Sequence, residues 1–233
     1  MFIMVDGIDG SGKSTSIETW KKIFLASGKK VFDLPAFWKE KNRYPHLEEV
    51  ESYDCIFSAE PTSTGVGRVI REELIAAGSS YPLEALAEAY SLDRLILYTK
   101  LIIPLLRSGR TIIQDRGIST SLSYQTAAGM PFRQLITLPG NQLALEHRPD
   151  HLVLLDVDPK VALERLAKRT EKQDKAIFER LDFLKLSSAQ FHSAQFQKTF
   201  TERGTQLHYL PADVELAILE QSALDLLKTI LTI

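Results

Sequence analysis

A glycine-rich segment directly after the first apolar run has the residue types and spacing of a phosphate-binding loop. Residues 7–15 follow the pattern G-x-x-x-x-G-K-[ST], between a predicted strand and a predicted helix. The backbone NH groups of such a loop surround an anion, and the dipole of the following helix adds to the attraction. The pattern predicts binding of a nucleoside triphosphate, with a glycine-rich turn carrying a chance lysine as the alternative. The predicted ATP-binding residues are Gly7, Asp9, Gly10, Ser11, Gly12, Lys13, Ser14 and Thr15.

Four side chains in and beyond this loop have the chemistry of phosphoryl transfer. Lys13 can reach the β and γ phosphates, and the Ser14 hydroxyl can complete a Mg²⁺ shell. The sequence Gln114-Asp115-Arg116 ends a later apolar run, at the strand edge that faces the ligand crevice in an open α/β sheet. There Asp115 can orient magnesium through water, and Arg116 can bridge the phosphate being transferred. A surface ion pair between the two is the alternative.

Tyr90 and Arg94 are four residues apart in a long helical pattern, so their side chains share one face of the predicted helix. An aromatic ring can stack on a pyrimidine while a guanidinium donates to a base carbonyl. The alternative is that Tyr90 belongs to the core and that Arg94 pairs with Asp93. The spacing favours a nucleobase site but leaves both interpretations open.

Short apolar runs alternate with longer helical patterns along the chain. This alternation predicts an α/β fold with a parallel sheet flanked by helices, formed by a single domain over residues 1–233. The irregular stretch is 35–54, whose mixed aromatic and charged residues could form a substrate lid, a partner surface or a decorated loop. A small ordered insertion near the acceptor side is favoured. The predicted strands are 2–5, 31–34, 55–57, 111–113, 151–155 and 207–210, and the predicted helices are 14–27, 65–77, 82–106, 159–169 and 213–231.

The composition limits the classes of partner and the compartment. The chain of 233 residues has 28 basic and 30 acidic residues, so its net charge of −2 gives no indication of nucleic-acid or membrane binding. Its one cysteine, Cys55, excludes an internal disulfide and fits a reducing compartment. No stretch reaches the roughly 18 apolar residues of a membrane helix. We therefore expect a cytoplasmic protein.

Several segments resemble motifs of the thymidylate kinase family. The most specific is 115–125, where Asp-Arg precedes small hydroxyl residues and then Tyr-Gln. The phosphate loop also resembles that of the family, including the aspartate at Asp9. The matches span most of the chain and leave 35–54 unmatched. The other similar segments are Glu60-Pro61-Thr62, Tyr90-Ser91-Leu92-Asp93-Arg94 and residues 152–159.

The resemblance implies a P-loop NTPase fold of three α/β/α layers, with a five-stranded parallel sheet in the order 2-3-1-4-5. It also implies transfer of the γ-phosphoryl group of ATP to thymidine monophosphate, with Mg²⁺ and without a covalent enzyme intermediate. A homodimer through the faces of the long helix is expected by the same resemblance. The alternatives are a kinase for another nucleotide or for a nucleoside, and a non-catalytic nucleotide-binding regulator.

Residue roles also follow from this resemblance. Tyr90 and Arg94 correspond to residues that hold thymine, with Gln125 beside the base and Tyr124 crowding the sugar 2′ position. Glu60 corresponds to an acidic residue near the acceptor sugar and the magnesium waters. The alternatives are helix packing for the Tyr-Gln pair and a helix-start carboxylate for Glu60. The substrate-binding residues implied in this way are Asp9, Glu60, Tyr90, Arg94, Arg116, Tyr124 and Gln125.

Residues 165–180 correspond to the family's lid. Gly10 stands where some members carry an arginine, so the lid is expected to supply the missing charge. Arg169 is the predicted catalytic arginine of the lid, with Lys172 or Lys175 in second place. A basic helix end favoured by the helix dipole explains the same residues without chemistry.

One departure from the family concerns the acceptor's phosphate. The family carries an arginine before Glu-Pro, whereas this chain has Ala59. Loss of such a charge-assisted contact costs about 1.5 to 3 kcal/mol unless another cation replaces it. Arg116, Arg68, Arg71 and Arg43 are the candidates that the sequence offers.

Overall fold

The computed structural model describes residues 1–76, 78–168 and 180–232. Six parallel strands form one sheet in the order β2-β3-β4-β1-β5-β6. The central strands are buried on both faces, which explains their nearly continuous apolar sequences. The strands are β1 (Phe2–Asp6), β2 (Val31–Asp33), β3 (Cys55–Ala59), β4 (Thr111–Asp115), β5 (His151–Asp156) and β6 (Gln206–Pro211).

The five strands implied by the family resemblance are one too few, because the predicted strand 31–34 forms β2 and adds a sixth strand at one edge. Its three residues pair in parallel with β3, so that Val31 lies opposite Cys55. Numbered without β2, the other five strands have the expected order 2-3-1-4-5. The extra strand is short and only partly buried, so that it extends the sheet without changing the order of the strands around the phosphate loop.

Helices cover both faces of the sheet. On one face α1 packs against α12, where the Trp20 indole NH donates to the carbonyl of Ala223 at 2.7 Å. The helices are α1 (Lys13–Ala26), α2 (Leu34–Lys41), α3 (Gly65–Val69), α4 (Leu83–Leu97), α5 (Ile103–Arg107), α6 (Ile118–Thr120), α7 (Phe132–Thr137), α8 (Pro139–Glu146), α9 (Pro159–Ala167), α10 (Leu181–Phe191), α11 (Ala194–Thr201) and α12 (Leu216–Leu231). None of the helices in the described parts of the chain is both long and apolar enough to span a membrane.

The segment 35–54 is more regular than its sequence indicates. The Asp33 carboxylate caps α2 by accepting the NH of Ala36 at 2.9 Å, and a proline occupies the first turn. The helix buries Leu34 and Trp38 and ends at Asn42, whose φ of 51° is left-handed. A short 3₁₀ turn, Leu47–Glu49, follows.

The helix predicted over 82–106 is present and begins at Leu83. Helix α4 continues through a π-helical turn, Tyr98–Ile102, into α5. Gly140 of α8 packs so closely on α4 that a β-carbon there would overlap the carbonyl of Ser91. The two helices therefore pack in close contact on the stretch of α4 that carries Tyr90, Asp93 and Arg94.

Candidate active site

The phosphate loop joins β1 to α1 in the conformation that its glycines permit. Gly10 and Gly12 have φ values of 84° and 97°, in the left-handed region that disfavours other residues. A β-carbon at Gly10 would also overlap the carbonyl of Ala162. The backbone path of the loop therefore requires glycine at these two positions. This path places the NH groups of the loop at the amino end of α1.

Lys13 is the first residue of α1, and its ammonium group lies over the loop. Its Nζ donates to the carbonyls of Gly7 and Ile8, both at 2.9 Å. Burial, together with the nearby Arg116, lowers the pKa of Lys13 to about 8, against the opposing effect of Asp9 and other carboxylates. A lysine in this state gains from an anionic partner, which restores its preference for the charged form.

This depressed pKa predicts a pH dependence of the reaction with ATP. We expect kcat/KM for ATP to fall about tenfold per pH unit above about pH 8, because the free protein then loses the Lys13 charge. With saturating ATP, kcat should persist to higher pH, since bound phosphate stabilises the ammonium form. Initial rates from about pH 6 to about pH 10 test this. A kcat/KM profile that stays flat above pH 8 would contradict this role for Lys13.

Two groups beside the loop fit a magnesium ion. The Asp115 Oδ1 atom at the end of β4 is buried without a hydrogen-bond partner among the described residues, while Ser14 is exposed at the start of α1. Burial raises the pKa of Asp115, although Lys13 and Arg116 act in the opposite direction. No group of three metal-ligating side chains occurs in the parts of the chain that the structure describes. The protein would thus supply few ligands, as Mg²⁺ bound between a protein and phosphates requires.

Arg116 joins the phosphate loop to the end of β4. Its guanidinium forms an ion pair with Asp9, lies 3.8 Å from a carboxylate oxygen of Asp6, and stands 5.5 Å from the ring centre of Tyr124. The backbone of Arg116 has a φ of 65°, which is unusual for a residue with a side chain. The surrounding contacts hold this conformation, as is typical of functional positions.

Asp6 is a site residue that the sequence analysis missed. Its fully buried carboxylate accepts the NH of Gly7 at 2.8 Å, the hydroxyl of Thr120 at 2.6 Å and the hydroxyl of Ser119. It therefore ties the start of the phosphate loop to the segment after β4. The available signal was a carboxylate at the end of a strand that is otherwise apolar, directly before the loop.

Tyr124 and Gln125 reach the site from a π-helical turn, Ser121–Gln125. The Tyr124 hydroxyl accepts the NH of Asp9 at 2.8 Å and donates to its carboxylate at 3.2 Å, so the aromatic residue touches the phosphate loop directly. The side chain of Gln125 is 7% exposed, and neither its oxygen nor its nitrogen has a hydrogen-bond partner among the described residues. Such an amide requires a complementary partner.

Arg94 lies deeper than its predicted role suggests. It is 1% exposed, pairs with Glu60 at 2.7 Å, and also donates to Asn141 and, at 3.0 Å, to Ser121. Burial raises the pKa of Glu60 to about 7, although Arg94 opposes the shift, and Gln114 donates to the same carboxylate at 3.0 Å. Arg94 thus connects β3, α8 and the turn that carries Tyr124. A direct contact with a nucleobase remains a prediction.

Tyr90 lies close enough to Arg116, Arg71 and Asp9 for their charges to affect its hydroxyl. It is half-buried, and burial raises its pKa to about 12, with Arg116 and Arg71 acting against the shift. Its ring is therefore within electrostatic range of both guanidinium groups. Stacking of Tyr90 on a nucleobase stays a prediction.

Arg71 is the best placed of the cations that could replace the arginine missing at Ala59. Its guanidinium donates to the carbonyls of Pro61 and Thr62, the latter at 3.1 Å, and burial lowers its pKa together with Arg116, against the effect of Asp115. All three of these arginines are exposed in the single chain, but Arg68 and Arg43 have partners elsewhere: Arg68 donates to Asn42 at 3.1 Å, and Arg43 forms two hydrogen bonds with Glu49 at 2.7 and 2.8 Å. Arg71 and Arg116 both lie near Asp115.

The predicted lid cations cannot be placed. Arg169, Lys172 and Lys175 lie outside the described residues. At the start of the lid region, Arg165 donates to the carbonyl of Ala212 at 2.8 Å, in the loop after β6. The lid region therefore begins beside the loop that connects β6 to α12.

The phosphate loop with Lys13 lies at the end of β1 in a parallel sheet, and Asp115 and Arg116 lie at the end of the neighbouring strand β4. This arrangement defines a P-loop phosphotransferase. A sequence profile of the thymidylate kinase family matches residues 44–209. A probable thymidylate kinase of Thermococcus gammatolerans is 35% identical over 181 residues, covering 75% of this chain and 74% of the relative. The probable thymidylate kinase of Thermococcus kodakarensis is 34% identical over 200 residues, covering 80% and 84%. The chain belongs to the thymidylate kinase family, which places it among the nucleoside monophosphate kinases.

Proposed function

We propose that this protein transfers the γ-phosphoryl group of ATP to thymidine monophosphate, giving ADP and thymidine diphosphate. The observation that carries the proposal is the direct contact between the two halves of the site. Asp9 of the phosphate loop contacts both Arg116 and Tyr124, which come from the acceptor side. A nucleotide bound on the loop and an acceptor bound near Tyr124 would then meet at Arg116.

The donor half holds the triphosphate by backbone NH groups and one cation. The loop of residues 7–15 presents its amides to the phosphates, and Lys13 leaves its carbonyl partners to bind the β and γ phosphates. Ser14 and Asp115 would hold Mg²⁺, the latter directly or through water. When bound, the ion neutralises charge on the β and γ phosphates and fixes their orientation.

The acceptor half has one candidate group for each part of a pyrimidine nucleotide. Tyr90 would stack on the base. The amide of Gln125, which has no hydrogen-bond partner among the described residues, would pair with the polar edge of the base. Tyr124, fixed on Asp9, would lie against the sugar. Arg71 would bind the acceptor's phosphate in place of the family arginine that is missing at Ala59.

The transfer itself requires positioning and cations rather than a covalent intermediate. An oxygen of the acceptor's phosphate forms a bond to the γ phosphorus, and the bond from the γ phosphorus to the β–γ bridging oxygen breaks to release ADP. Arg116 stands between the two halves and would stabilise the charge on the migrating group. Arg169 of the lid remains the proposed second cation for this step.

A coupled assay of ADP release tests the proposed activity. ATP and Mg²⁺ are supplied with a panel of nucleoside monophosphates and nucleosides, and a reaction without acceptor measures background hydrolysis. Preference for thymidine monophosphate supports the proposal. Because Ala59 removes a phosphate contact, the second candidate is a kinase for another nucleotide or for a nucleoside. That candidate predicts preference for a different acceptor, whereas a non-catalytic regulator predicts ATP binding without ADP release.

Tyr90 provides a test of the acceptor site alone. The Tyr90→Ala variant should raise KM for thymidine monophosphate about fivefold to 150-fold, because loss of base stacking costs about 1 to 3 kcal/mol. KM for ATP should change less than about twofold, since the phosphate loop is intact. Steady-state rates with each substrate varied in turn measure both values. Tyr81→Ala, at an exposed tyrosine before α4, is the matched control. An effect confined to ATP would contradict the placement of Tyr90.

We further propose a cytoplasmic homodimer that associates through the long helix. Helix α4 exposes Leu83 and Leu92, which are 36% and 47% accessible in the single chain. Apolar side chains on the outer face of a long helix favour a partner surface. Light scattering after size-exclusion chromatography tests this, and Leu92→Glu should convert a dimer that uses this face into a monomer.

A further inference from the structure

The segment 35–54 places a tyrosine beside the acceptor half of the site. Tyr44 follows the end of α2, and its ring packs edge to face on Trp38, with a centroid distance of 6.1 Å. On the other side Lys100 lies 5.9 Å from the ring centre. The ring is partly buried, and its edge lies beside Gly65 in the segment after β3.

The Tyr44 hydroxyl meets a buried pair of polar residues. It lies 3.4 Å from the Thr62 hydroxyl and 3.4 Å from a carboxylate oxygen of Asp93. Thr62 already donates its NH and its hydroxyl to the two oxygens of Asp93, both at 2.7 Å. The three side chains form one hydrogen-bonded cluster that links the segment 35–54, the turn after β3 and helix α4.

The same turn holds Arg71. The carbonyls of Pro61 and Thr62 accept hydrogen bonds from its guanidinium. Gly67 packs directly on Thr62, where a β-carbon would overlap the threonine backbone and hydroxyl, so this turn has no room to shift toward α3. The direction of the Arg71 guanidinium therefore depends on where the cluster holds Thr62.

We propose that Tyr44 is a positioning residue for the acceptor's phosphate: its hydroxyl fixes the Thr62–Asp93 pair, which holds the turn that directs Arg71. The inference rests on the proposed function for the identity of the acceptor, a nucleoside monophosphate. Segment 35–54 is then a part of the binding site that discriminates a monophosphate from a nucleoside. Tyr44 itself touches neither the base nor the reacting atoms.

Calorimetric titration of Tyr44→Phe with thymidine monophosphate and with thymidine tests this role. Removing the hydroxyl should weaken binding of the monophosphate about threefold to tenfold, the factor that follows from one neutral hydrogen bond. Thymidine, which lacks the phosphate, should bind the variant and the wild type equally. Tyr53→Phe is the matched control, because Tyr53 lies in the same segment and packs on Phe32 at 4.9 Å.

A double-mutant cycle with Arg71→Ala identifies the route of the effect. In that background, Tyr44→Phe should have no further effect on the monophosphate, because the cation that it positions is gone. Equal weakening of thymidine and its monophosphate would overturn the proposal, as would an undiminished effect in the Arg71→Ala background. Binding does not require turnover. A wild type that binds thymidine monophosphate without phosphorylating it would therefore refute the proposed activity and leave the measurement on Tyr44 valid.

Discussion

The Lys13→Met variant is expected to transfer phosphate at least about a hundredfold to a thousandfold more slowly than the wild type, the effect of removing one preorganised charge-stabilising donor. Lys13 is the cation of the phosphate loop, and its Nζ has only the carbonyls of Gly7 and Ile8 as hydrogen-bond partners among the described residues. Methionine keeps a similar side-chain volume and removes the charge. Rates of ADP release with saturating ATP and acceptor measure the loss.

The control for this variant is Lys22→Met, at an exposed lysine of the same helix. It should retain wild-type turnover and show that the loss depends on the loop position rather than on helix α1. Turnover of Lys13→Met within about tenfold of the wild type would be incompatible with the assigned role. The lysine would then be a structural residue of the loop.

The same substitution should not destabilise the protein near neutral pH. The folded pKa of Lys13 is about 8, below its ordinary value of 10.5, so the unfolded chain binds this proton more tightly. The charge therefore lowers wild-type stability below about pH 8, and this cost disappears as the pH rises toward 10.5. Urea unfolding near pH 7 should show Lys13→Met at least as stable as the wild type, with its advantage decreasing toward about pH 10.

The phosphate loop could be predicted from the sequence because its requirements are local. Gly10 and Gly12 need left-handed backbone angles, and the lysine and hydroxyl follow at fixed positions at the start of a helix. Asp115 and Arg116 were also predictable, because a strand end in a parallel sheet faces the ligand crevice. In each case the residues that form the pattern are also the ones that determine the local backbone geometry.

Other parts of the site depend on partners far apart in the sequence. The spacing of Tyr90 and Arg94 predicts a shared helix face, but only the positions of Glu60 and Asn141 bury Arg94 completely. Likewise the sequence does not distinguish Arg71 from the other arginines. Its contact with the turn after β3 is visible only in the structure. Neither arrangement leaves a signal in the local sequence.

The sheet has six strands, whereas the family resemblance implied five. The apolar run 31–34 was predicted as a strand from its pattern, and its residues Val31–Asp33 form β2. The family resemblance implied five strands and left this edge uncounted. Similarly, α2 depends on the capping of its first turn by Asp33, while mixed aromatic and charged residues obscured its helical pattern. The position of Tyr44, which follows α2, could therefore not be predicted from the sequence.

Arg116→Ala and Arg116→Gly should both lose turnover by about a thousandfold, the range for an arginine that stabilises phosphoryl transfer. Either change removes the guanidinium that joins Asp9 to the acceptor side and leaves the Asp9 carboxylate beside the phosphates without this compensation. The two variants should differ in stability. Because residue 116 has a φ of 65°, alanine is strained there and glycine is not, so Arg116→Gly should be more stable by about 1 kcal/mol.

Comparing these two variants separates the chemical role of Arg116 from its structural role. If the rate follows the guanidinium, both variants are equally slow although their unfolding free energies differ. If the arginine mainly maintained the fold, the more stable glycine variant would recover part of the rate. Arg107→Ala, at an exposed arginine that ends α5, controls for loss of positive charge and should keep full activity. Both variants lack the guanidinium, whereas only the alanine variant has a strained backbone. If the two variants are equally slow at a temperature below both unfolding transitions, the loss of rate therefore belongs to the transfer step.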